Sequence, residues 1–216
     1  MASIPGGTQL SRTVIFDFDG TIADTLDMVV DIYRELTGDE RHVSKAEINE
    51  LRRLPLMQLV KAVDVPLIKV PALLTKGRKI MKQRVASARV FPGVPKLLKA
   101  LVGKGYVLHI VSSNSQENVQ AFLEKHKLTE YFVEVHGSIG LFSKAKILKS
   151  IATRSHVSTR DAWYVGDEAR DIHAAKKAGI RVAAVTWGYQ HVELLEKLEP
   201  TALATTPEEL LEIVTK

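Results

Sequence analysis

Two aspartates at the end of an apolar run are the residues best suited to chemistry in this chain. Asp17 and Asp19 stand one residue apart in the run VIFDFDGT, which covers residues 14–21. Side chains two residues apart on an extended segment point the same way, so both carboxylates are expected to face one pocket. Two neighbouring carboxylates repel each other unless a cation or a shared proton compensates them. The pair therefore predicts a charged site, and not a solvated turn, at the end of a strand.

A second acidic group follows a later apolar run. Asp167 comes directly after the run AWYVG, and Asp171 follows four residues later. This spacing predicts both carboxylates on one face of the opening turn of a helix. Acidic residues are also common at helix N-termini because of the macrodipole, but that explains only one of the two. We expect Asp167 to reach the same sheet edge as Asp17.

Serines and an asparagine follow a third apolar run. Val107–Val111 leads into Ser112, Ser113, Asn114 and Ser115, and then into a predicted helix. Hydroxyl groups and free backbone N–H groups at a helix N-terminus form a ready site for an anion. The same residues are also typical of a simple helix cap, for which Ser115 is well placed.

Apolar runs and helical patterns alternate along most of the chain. Strands are predicted at Val14–Phe18, Tyr106–Val111, Tyr131–Val135, Ala162–Val165 and Arg181–Trp187. Helices are predicted between them at Pro92–Val102, Gln116–His126, Lys144–Thr153 and Arg170–Ala178. The alternation predicts an α/β fold, a doubly wound (Rossmann-like) parallel sheet with helices on both faces. Ligands bind such sheets at the C-terminal ends of the strands, where the polar residues described above stand.

One stretch, from Asp24 to about Arg89, shows helical patterns and no convincing strand. We therefore divide the chain into an N-terminal tail (residues 1–12), an α/β core (13–23 and 91–216) and a small all-helical domain (24–90) inserted after the first strand. The insertion holds 13 Lys/Arg and nine Asp/Glu, and the run from Lys76 to Arg89 has six basic residues and no acidic one. A solvated helix face is the preferred interpretation of that run. A basic lid that attracts anionic substrates is the alternative.

The run DFDGTIADT, residues 17–25, resembles the first motif of the haloacid dehalogenase superfamily, most closely its phosphatases and phosphomutases. The other polar residues follow in the order of that family's remaining motifs: a serine after a strand, a lysine at a helix start, and Gly-Asp after a strand. An insertion between the first and second motifs is, in this family, a helical (C1-type) cap domain. The later run VTWGY, residues 185–189, is similar to a loop of the phosphoglycolate-phosphatase-like branch.

The resemblance implies roles for the two aspartates and for the phosphate ligands. Asp17 is expected to be the nucleophile that forms an aspartyl phosphate, and Asp19 the general acid and base. Gly20 and Thr21 are expected to offer close backbone approach to the phosphate.

The second and third motifs imply further phosphate ligands. The phosphate-binding hydroxyl is placed at Ser113, with Ser112 as the alternative, and Asn114 is expected to assist. Lys144 is expected to neutralise the phosphate and the crowded carboxylates, with Lys146 as the alternative.

The resemblance also implies a Mg²⁺ cofactor. Its expected ligands are Asp17, the backbone carbonyl of Asp19, and Asp167. Asp171 is expected to act on the ion indirectly, through one of its ligands or through a water, and Glu168 is the less favoured ligand. Hard oxygen donors suit Mg²⁺, and Mn²⁺ could substitute for it.

The leading hypothesis is therefore a Mg²⁺-dependent phosphomonoester hydrolase that acts on a small anionic metabolite, such as phosphoglycolate or a sugar phosphate. One alternative is a sugar phosphomutase of the β-phosphoglucomutase type, for which Arg52 and Arg53 could furnish a second phosphate site. Another is a catalytically idle binding or regulatory module, against which the intact motif residues argue. Dehalogenation is disfavoured because that branch of the family lacks the second aspartate.

Composition narrows the remaining possibilities. The chain has 216 residues, of which 45% are hydrophobic, and it has no cysteine, so disulfides, thiolate zinc sites and a cysteine nucleophile are excluded. The formal net charge is +5, but no aromatic interleaving or binding motif accompanies it, so no nucleic-acid partner is expected. No apolar stretch approaches membrane-spanning length, and we expect a cytoplasmic protein with no membrane partner. The seven histidines show no ligand spacing and are expected to be structural or solvated.

Overall fold

A six-stranded parallel sheet forms the centre of the protein, as seen in a computed structural model that describes residues 12–38, 44–63, 65–140, 143–154, 158–159 and 161–216. The strands along the chain are β1 (Thr13–Phe16), β2 (Ala23–Asp24), β3 (Arg89–Val90), β4 (Val107–Val111), β5 (Phe132–His136), β6 (Ala162–Gly166), β7 (Arg181–Val185) and β8 (Ala202–Ala204). The sheet has the order β5-β4-β1-β6-β7-β8, with every neighbouring pair parallel. The predicted α/β fold is confirmed, and β1 lies within the sheet between β4 and β6.

Helices cover both faces of this sheet. They are α1 (Leu26–Thr37), α2 (Lys45–Arg52), α3 (Leu56–Ala62), α4 (Val70–Arg84), α5 (Val94–Gly103), α6 (Gln116–Lys125), α7 (Lys144–Arg154), α8 (Ala169–Ala178), α9 (Val192–Glu196) and α10 (Pro207–Thr215). Successive residues of β1 alternate between two cores: Phe16 packs with α5, α6 and α10, and Ile15 packs with α7 and α8. Each fully buried side chain of this size contributes about 1.5–3 kcal/mol, which fixes the position of β1.

The helices α1 to α4 form an insertion between β1 and the rest of the sheet. Its base is closed by β2 and β3, which pair antiparallel through Ala23 with Val90 and Asp24 with Arg89. The sequence did not predict these two strands, because two residues are too few to show a period. Helix α2 begins with the predicted capping box of Ser44 and Glu47. The division into tail, core and cap domain stays a prediction, and residues 1–11 of the tail lie outside the described residues.

Two arginines of the insertion contact the loop after β7. The Arg52 guanidinium donates to the carbonyls of Gly188 and Tyr189, at 2.6 and 2.9 Å, and the backbone N–H of His191 donates to the Arg52 carbonyl. Arg53 forms an ion pair with Glu193. Both cations are thus occupied in holding the insertion against the core.

None of the helices within the described residues has the length and apolar character that a membrane crossing requires.

Candidate active site

The central strand places Asp17 at the C-terminal edge of the sheet. The backbone N–H of Asp17 still donates to the Val165 carbonyl of β6 at 2.8 Å. Beyond it the chain turns sharply, and the N–H groups of Ile22 and Ala23 both donate to the Phe18 carbonyl. Asp17 is buried and Asp19 half-buried, so the turn keeps both carboxylates at the mouth of one site.

Lys144, the first residue of α7, joins Asp17 to Asp171. Its ammonium lies 3.0 Å from Asp17 Oδ2 and 2.7 Å from Asp171 Oδ1, and the residue is only 4% exposed. Burial opposes its positive charge, but attraction to the two carboxylates outweighs burial and raises the pKa of Lys144. Lys146 is exposed on the same helix. The structure therefore brings Lys144, and not Lys146, to the acidic residues.

The pKa values of the two carboxylates that contact Lys144 are shifted in opposite directions. Burial raises the pKa of Asp17 in spite of the Lys144 cation. Burial also acts on Asp171, but Lys144 and Arg170 outweigh it and hold the pKa of Asp171 below its ordinary value. Asp171 further accepts hydrogen bonds from Tyr164 Oη and the Glu168 N–H. Asp171 is thus the anionic residue that fixes Lys144 in place.

Asp19 has neutral hydrogen-bond donors where Asp17 has a cation. Its two oxygens accept from Thr25 Oγ1 at 3.1 Å and from Asn114 Nδ2 at 2.9 Å. Burial raises the pKa of Asp19 to about 6, against these hydrogen bonds and with the help of the nearby Asp17 charge. A carboxyl group with that pKa exchanges a proton readily near neutral pH.

Asp167 lies between the first turn and the loop after β7. It accepts from Thr21 Oγ1 at 2.9 Å and from the Tyr189 N–H at 2.7 Å. Gly20 has a φ of +76°, and a Cβ at that position would collide with the Asp167 carboxylate. Glycine is therefore required at position 20 both for its left-handed backbone and for this close approach.

The predicted shared helical turn for Asp167 and Asp171 is wrong, because α8 begins at Ala169 and Asp167 precedes it. The carboxylates converge nevertheless: one oxygen from each of Asp17, Asp167 and Asp171 lies within 4.8 Å of the others. Burial and the neighbouring carboxylates raise the pKa of Asp167 well above its ordinary value. Buried carboxylates that repel one another are stabilised in their ionised form by a cation, and their hard oxygen donors suit a divalent ion such as Mg²⁺.

The serines after β4 form the opposite wall of the site. Ser112 is buried, and its hydroxyl accepts from the Asn114 N–H at 3.0 Å. The Ser113 hydroxyl accepts from Arg170 at 3.4 Å. Ser115 caps α6, as predicted, by accepting from the Asn118 N–H. The Ser113 hydroxyl therefore faces a cation, while that of Ser112 supports the turn.

Three residues of the site were not predicted from the sequence. Arg170 contacts Ser113, pairs with Glu168 and, through its charge, opposes the rise in the pKa of Asp17 that burial causes. Thr25 and Tyr189 are in contact through their hydroxyl groups at 2.6 Å. The position of Arg170 inside the acidic run GDEARD could have indicated it, because a cation among several carboxylates can compensate their charge.

A cavity of about 330 Å³ lies between α4 of the insertion and the start of α6. Arg78, Lys79 and Lys82 line it from the insertion, and the residues that line it from the core include Asn114, Asn118 and the acidic Glu117. Asn114 also holds Asp19, so the cavity adjoins the acidic site. Three of the six basic residues between Lys76 and Arg89 therefore face the cavity beside the acidic site, an arrangement that fits a basic lid.

Comparison with known proteins agrees with this geometry. Residues 14–185 match the sequence model of the haloacid dehalogenase-like hydrolases. The phosphoglycolate phosphatase of Synechococcus elongatus is 32% identical over 95% of this chain and 98% of its own. Phosphoglycolate phosphatase 1 of Pseudomonas aeruginosa is 28% identical over 94% of this chain and 80% of its own.

Solved structures show the same fold. A haloacid dehalogenase-like hydrolase from Streptococcus pneumoniae superposes with a TM-score of 0.78 at 21% identity, over 95% of this chain and 99% of its own. A predicted phosphoglycolate phosphatase from Haemophilus somnus gives a TM-score of 0.75 at 19% identity, over 97% and 100%. The prediction of a phosphatase of this family is confirmed. The chain belongs to the haloacid dehalogenase-like hydrolases.

Proposed function

We propose that the protein is a Mg²⁺-dependent phosphomonoester hydrolase that works through an aspartyl phosphate on Asp17. The observation that carries the proposal is the unequal surroundings of the two aspartates. Asp17 lies against the Lys144 cation, which counteracts the effect of burial on the pKa of Asp17 and so favours an ionised nucleophile. Asp19 is held by two neutral donors with its pKa raised to about 6, which suits a group that gives and takes a proton.

The first half of the reaction transfers the phosphoryl group to the enzyme. A carboxylate oxygen of Asp17 attacks phosphorus, and the bond from phosphorus to the ester oxygen breaks. Asp19 gives its proton to the departing oxygen, so an alcohol leaves. We assign the binding of the phosphoryl oxygens to Lys144, Arg170 and the Ser113 hydroxyl, an assignment supported by the contact of Lys144 with Asp17 and of Arg170 with Ser113.

The second half of the reaction is hydrolysis of the aspartyl phosphate. Asp19, now ionised, takes a proton from water as the water oxygen attacks phosphorus. The bond from phosphorus to Asp17 breaks, and inorganic phosphate leaves. Mg²⁺ bound by Asp17, the Asp19 carbonyl and Asp167 would supply charge neutralisation for the nucleophile and the phosphoryl oxygens.

The proposed substrate is a small phosphomonoester that carries a second anionic or polar group, such as phosphoglycolate or a sugar phosphate. The cavity beside Asn114 supports this, because its insertion side is lined by three bases. The names of the Synechococcus and Pseudomonas relatives favour phosphoglycolate. The phosphomutase gains no support from Arg52 and Arg53, whose guanidinium groups contact the core loop and Glu193.

The test is hydrolysis of p-nitrophenyl phosphate and of a panel of metabolite monoesters, with Mg²⁺ and with chelator. We expect Mg²⁺-dependent release of phosphate, with phosphoglycolate among the best substrates. Asp17→Asn should abolish turnover, while Asp27→Asn, which changes an exposed aspartate of α1, should leave it intact. Appreciable activity in Asp17→Asn would exclude Asp17 as the nucleophile. Isomerisation of a bisphosphate-primed hexose phosphate with slow hydrolysis would favour a mutase.

A further inference from the structure

A second group of potential metal ligands lies at the β5 edge of the sheet, apart from the acidic residues of the active site. In the β4–β5 ladder His109 is opposite Glu134 and Val111 is opposite His136. Alternate residues of a strand share one face, so His109, Glu134 and His136 all lie on the face that α7 covers. One donor atom from each lies within 4.8 Å of the others. We name these three residues the edge cluster.

The His109 ring has no hydrogen-bond partner within the described part of the chain. Its side chain is 6% exposed, and neither ring nitrogen has a hydrogen-bond partner there. Nδ1 lies 3.6 Å from Glu134 Oε2, beyond hydrogen-bonding reach. A buried imidazole without a partner is costly, and this one is directed at a carboxylate and a second imidazole. Its surroundings thus point to a missing ligand.

The spacing of the donor atoms suits a tetrahedral ion. His136 Nε2 lies 3.0 Å and His109 Nδ1 lies 3.6 Å from Glu134 Oε2. Ligands of tetrahedral Zn²⁺, bound at about 2.0–2.1 Å, stand roughly 3.3 Å apart. The two observed distances, 3.0 and 3.6 Å, lie on either side of that value. Two imidazoles and one carboxylate suit Zn²⁺ or Co²⁺ better than Mg²⁺, which prefers oxygen donors.

The surroundings of the edge cluster also suit a metal. Arg154 of α7 donates to both oxygens of Glu134 and so fixes the carboxylate, as outer partners of metal ligands do. The side chains of His136 and Glu134 are 26% and 40% exposed, which leaves a way in for the ion and for water in a fourth position. A bound ion would replace the present hydrogen bond between His136 and Glu134.

We propose that His109, Glu134 and His136 bind a divalent transition metal of the Zn²⁺ class, in a site separate from the acidic residues around Asp17. A backbone hydrogen bond connects this site to the active-site loop, because the His136 carbonyl accepts from the Ser112 N–H at 2.9 Å. An ion here would fasten the edge strand β5 to β4 at the point where that loop begins.

The test uses Co²⁺, whose visible absorption reports its coordination. The Asp167→Asn variant, with Mg²⁺ in excess, removes binding at the acidic site. We expect this variant to bind one Co²⁺ per chain with the intense bands of a four-coordinate ion, and Zn²⁺ to displace it. Adding His136→Ala or Glu134→Gln should weaken Co²⁺ binding at least roughly tenfold.

The control is His173→Ala in the same background, which changes an exposed histidine of α8 and should leave Co²⁺ binding unchanged. Circular dichroism establishes that each variant is folded, and Glu134→Gln keeps the size of the side chain should His136→Ala fail to fold. Absence of a Co²⁺ spectrum in Asp167→Asn would overturn the proposal. So would equal affinity in folded His136→Ala and Glu134→Gln. The proposed phosphatase chemistry is unaffected by either result.

Discussion

At the scale of single residues, Lys144 decides the charge balance of the site. It is the cation that directly contacts both Asp17 and Asp171, and all three are buried. Removing one partner from a buried ion pair leaves the remaining charge uncompensated, which costs about 3–5 kcal/mol. Lys144 is therefore expected to serve stability as well as phosphate binding.

We predict that Lys144→Met loses turnover and lowers the free energy of unfolding by about 3 kcal/mol, measured by urea denaturation in chelator. Lys146→Met, two residues along the same helix, is the matched control because its side chain is exposed. Its free energy of unfolding should change by less than about 0.5 kcal/mol. Equal losses in the two variants would contradict the assignment.

The sequence predicted the residues whose roles depend on local spacing. Asp17 and Asp19 stand out because two carboxylates one residue apart at a strand end are visible in a short run. The choice between Lys144 and Lys146 was not visible, because it depends on which side of α7 faces β1. Arg170 was missed for a similar reason, since its partner Ser113 lies in a distant part of the chain. Thr25 lies only six residues after Asp19, but their contact depends on how the turn after β1 folds back.

At the scale of elements, α4 is the part of the insertion that faces the site. Arg78 and Lys82 line the cavity beside Asn114, whereas Lys76, which is also exposed on the same helix, is not among the lining residues. In the sequence alone, a solvated helix face is the favoured interpretation of this basic run. Solvation and a functional lid are indistinguishable in one sequence, because the choice depends on how α4 is docked against α6.

We predict that Arg78→Ala combined with Lys82→Ala raises the KM for phosphoglycolate about tenfold, since each partly solvated charge contributes up to about 1 kcal/mol. The KM for p-nitrophenyl phosphate, which lacks the second anionic group, should change much less. Lys76→Ala serves as the control and should alter neither value. An equal rise for both substrates would show that the cavity does not recognise the second group.

His109, which is buried on β4 beside β5, is expected to make the stability of the protein depend on pH. Burial lowers the pKa of His109 to about 4, in spite of Glu134, with His136 and Arg154 opposing protonation as well. The unfolded chain, with a histidine pKa of about 6.5, therefore binds the proton first as the pH falls. Stability contributed by neutral His109 is complete above pH 6.5 and is lost between about pH 6.5 and 4.

We predict that the free energy of unfolding of His109→Leu falls by about 2 kcal/mol less than that of wild type between about pH 6.5 and 4. The measurement is urea denaturation in chelator at a series of pH values. His173→Leu should keep the wild-type slope, because His173 is exposed on α8. Identical slopes in wild type and His109→Leu would show that His109 titrates normally. The sequence could not predict this behaviour, because the burial of His109 depends on the cover that α7 provides.

Strand and helix positions were largely predictable where a run was long enough to show a period. The predicted strand at Tyr106–Val111 corresponds to β4, and the predicted helix at Lys144–Thr153 corresponds to α7. The short strands β2, β3 and β8 were missed, since two or three residues carry no period. Their pairing is set by the fold around them.

At the scale of the whole molecule, the three carboxylates at the sheet edge are expected to make the stability of the fold depend on cations. Asp17, Asp167 and Asp171 converge from β1, the end of β6 and α8, so their repulsion acts only in the folded chain. Lys144 contacts Asp17 and Asp171, whereas the hydrogen bonds that Asp167 accepts from the described residues come from Thr21 and Tyr189. A divalent ion that binds only the folded protein would relieve this repulsion.

We predict that Mg²⁺ at about 100 times its dissociation constant stabilises the protein by about 2.7 kcal/mol. For a chain of this size that corresponds to a rise in Tm of about 5–10 °C over the value in chelator. Asp167→Asn should lose the rise and should be at least as stable as wild type in chelator, because it removes a buried like charge. Asp27→Asn, on the exposed side of α1, should retain the full rise. A Mg²⁺-dependent rise that persisted in Asp167→Asn would place the ion elsewhere and remove Asp167 from the proposed ligands.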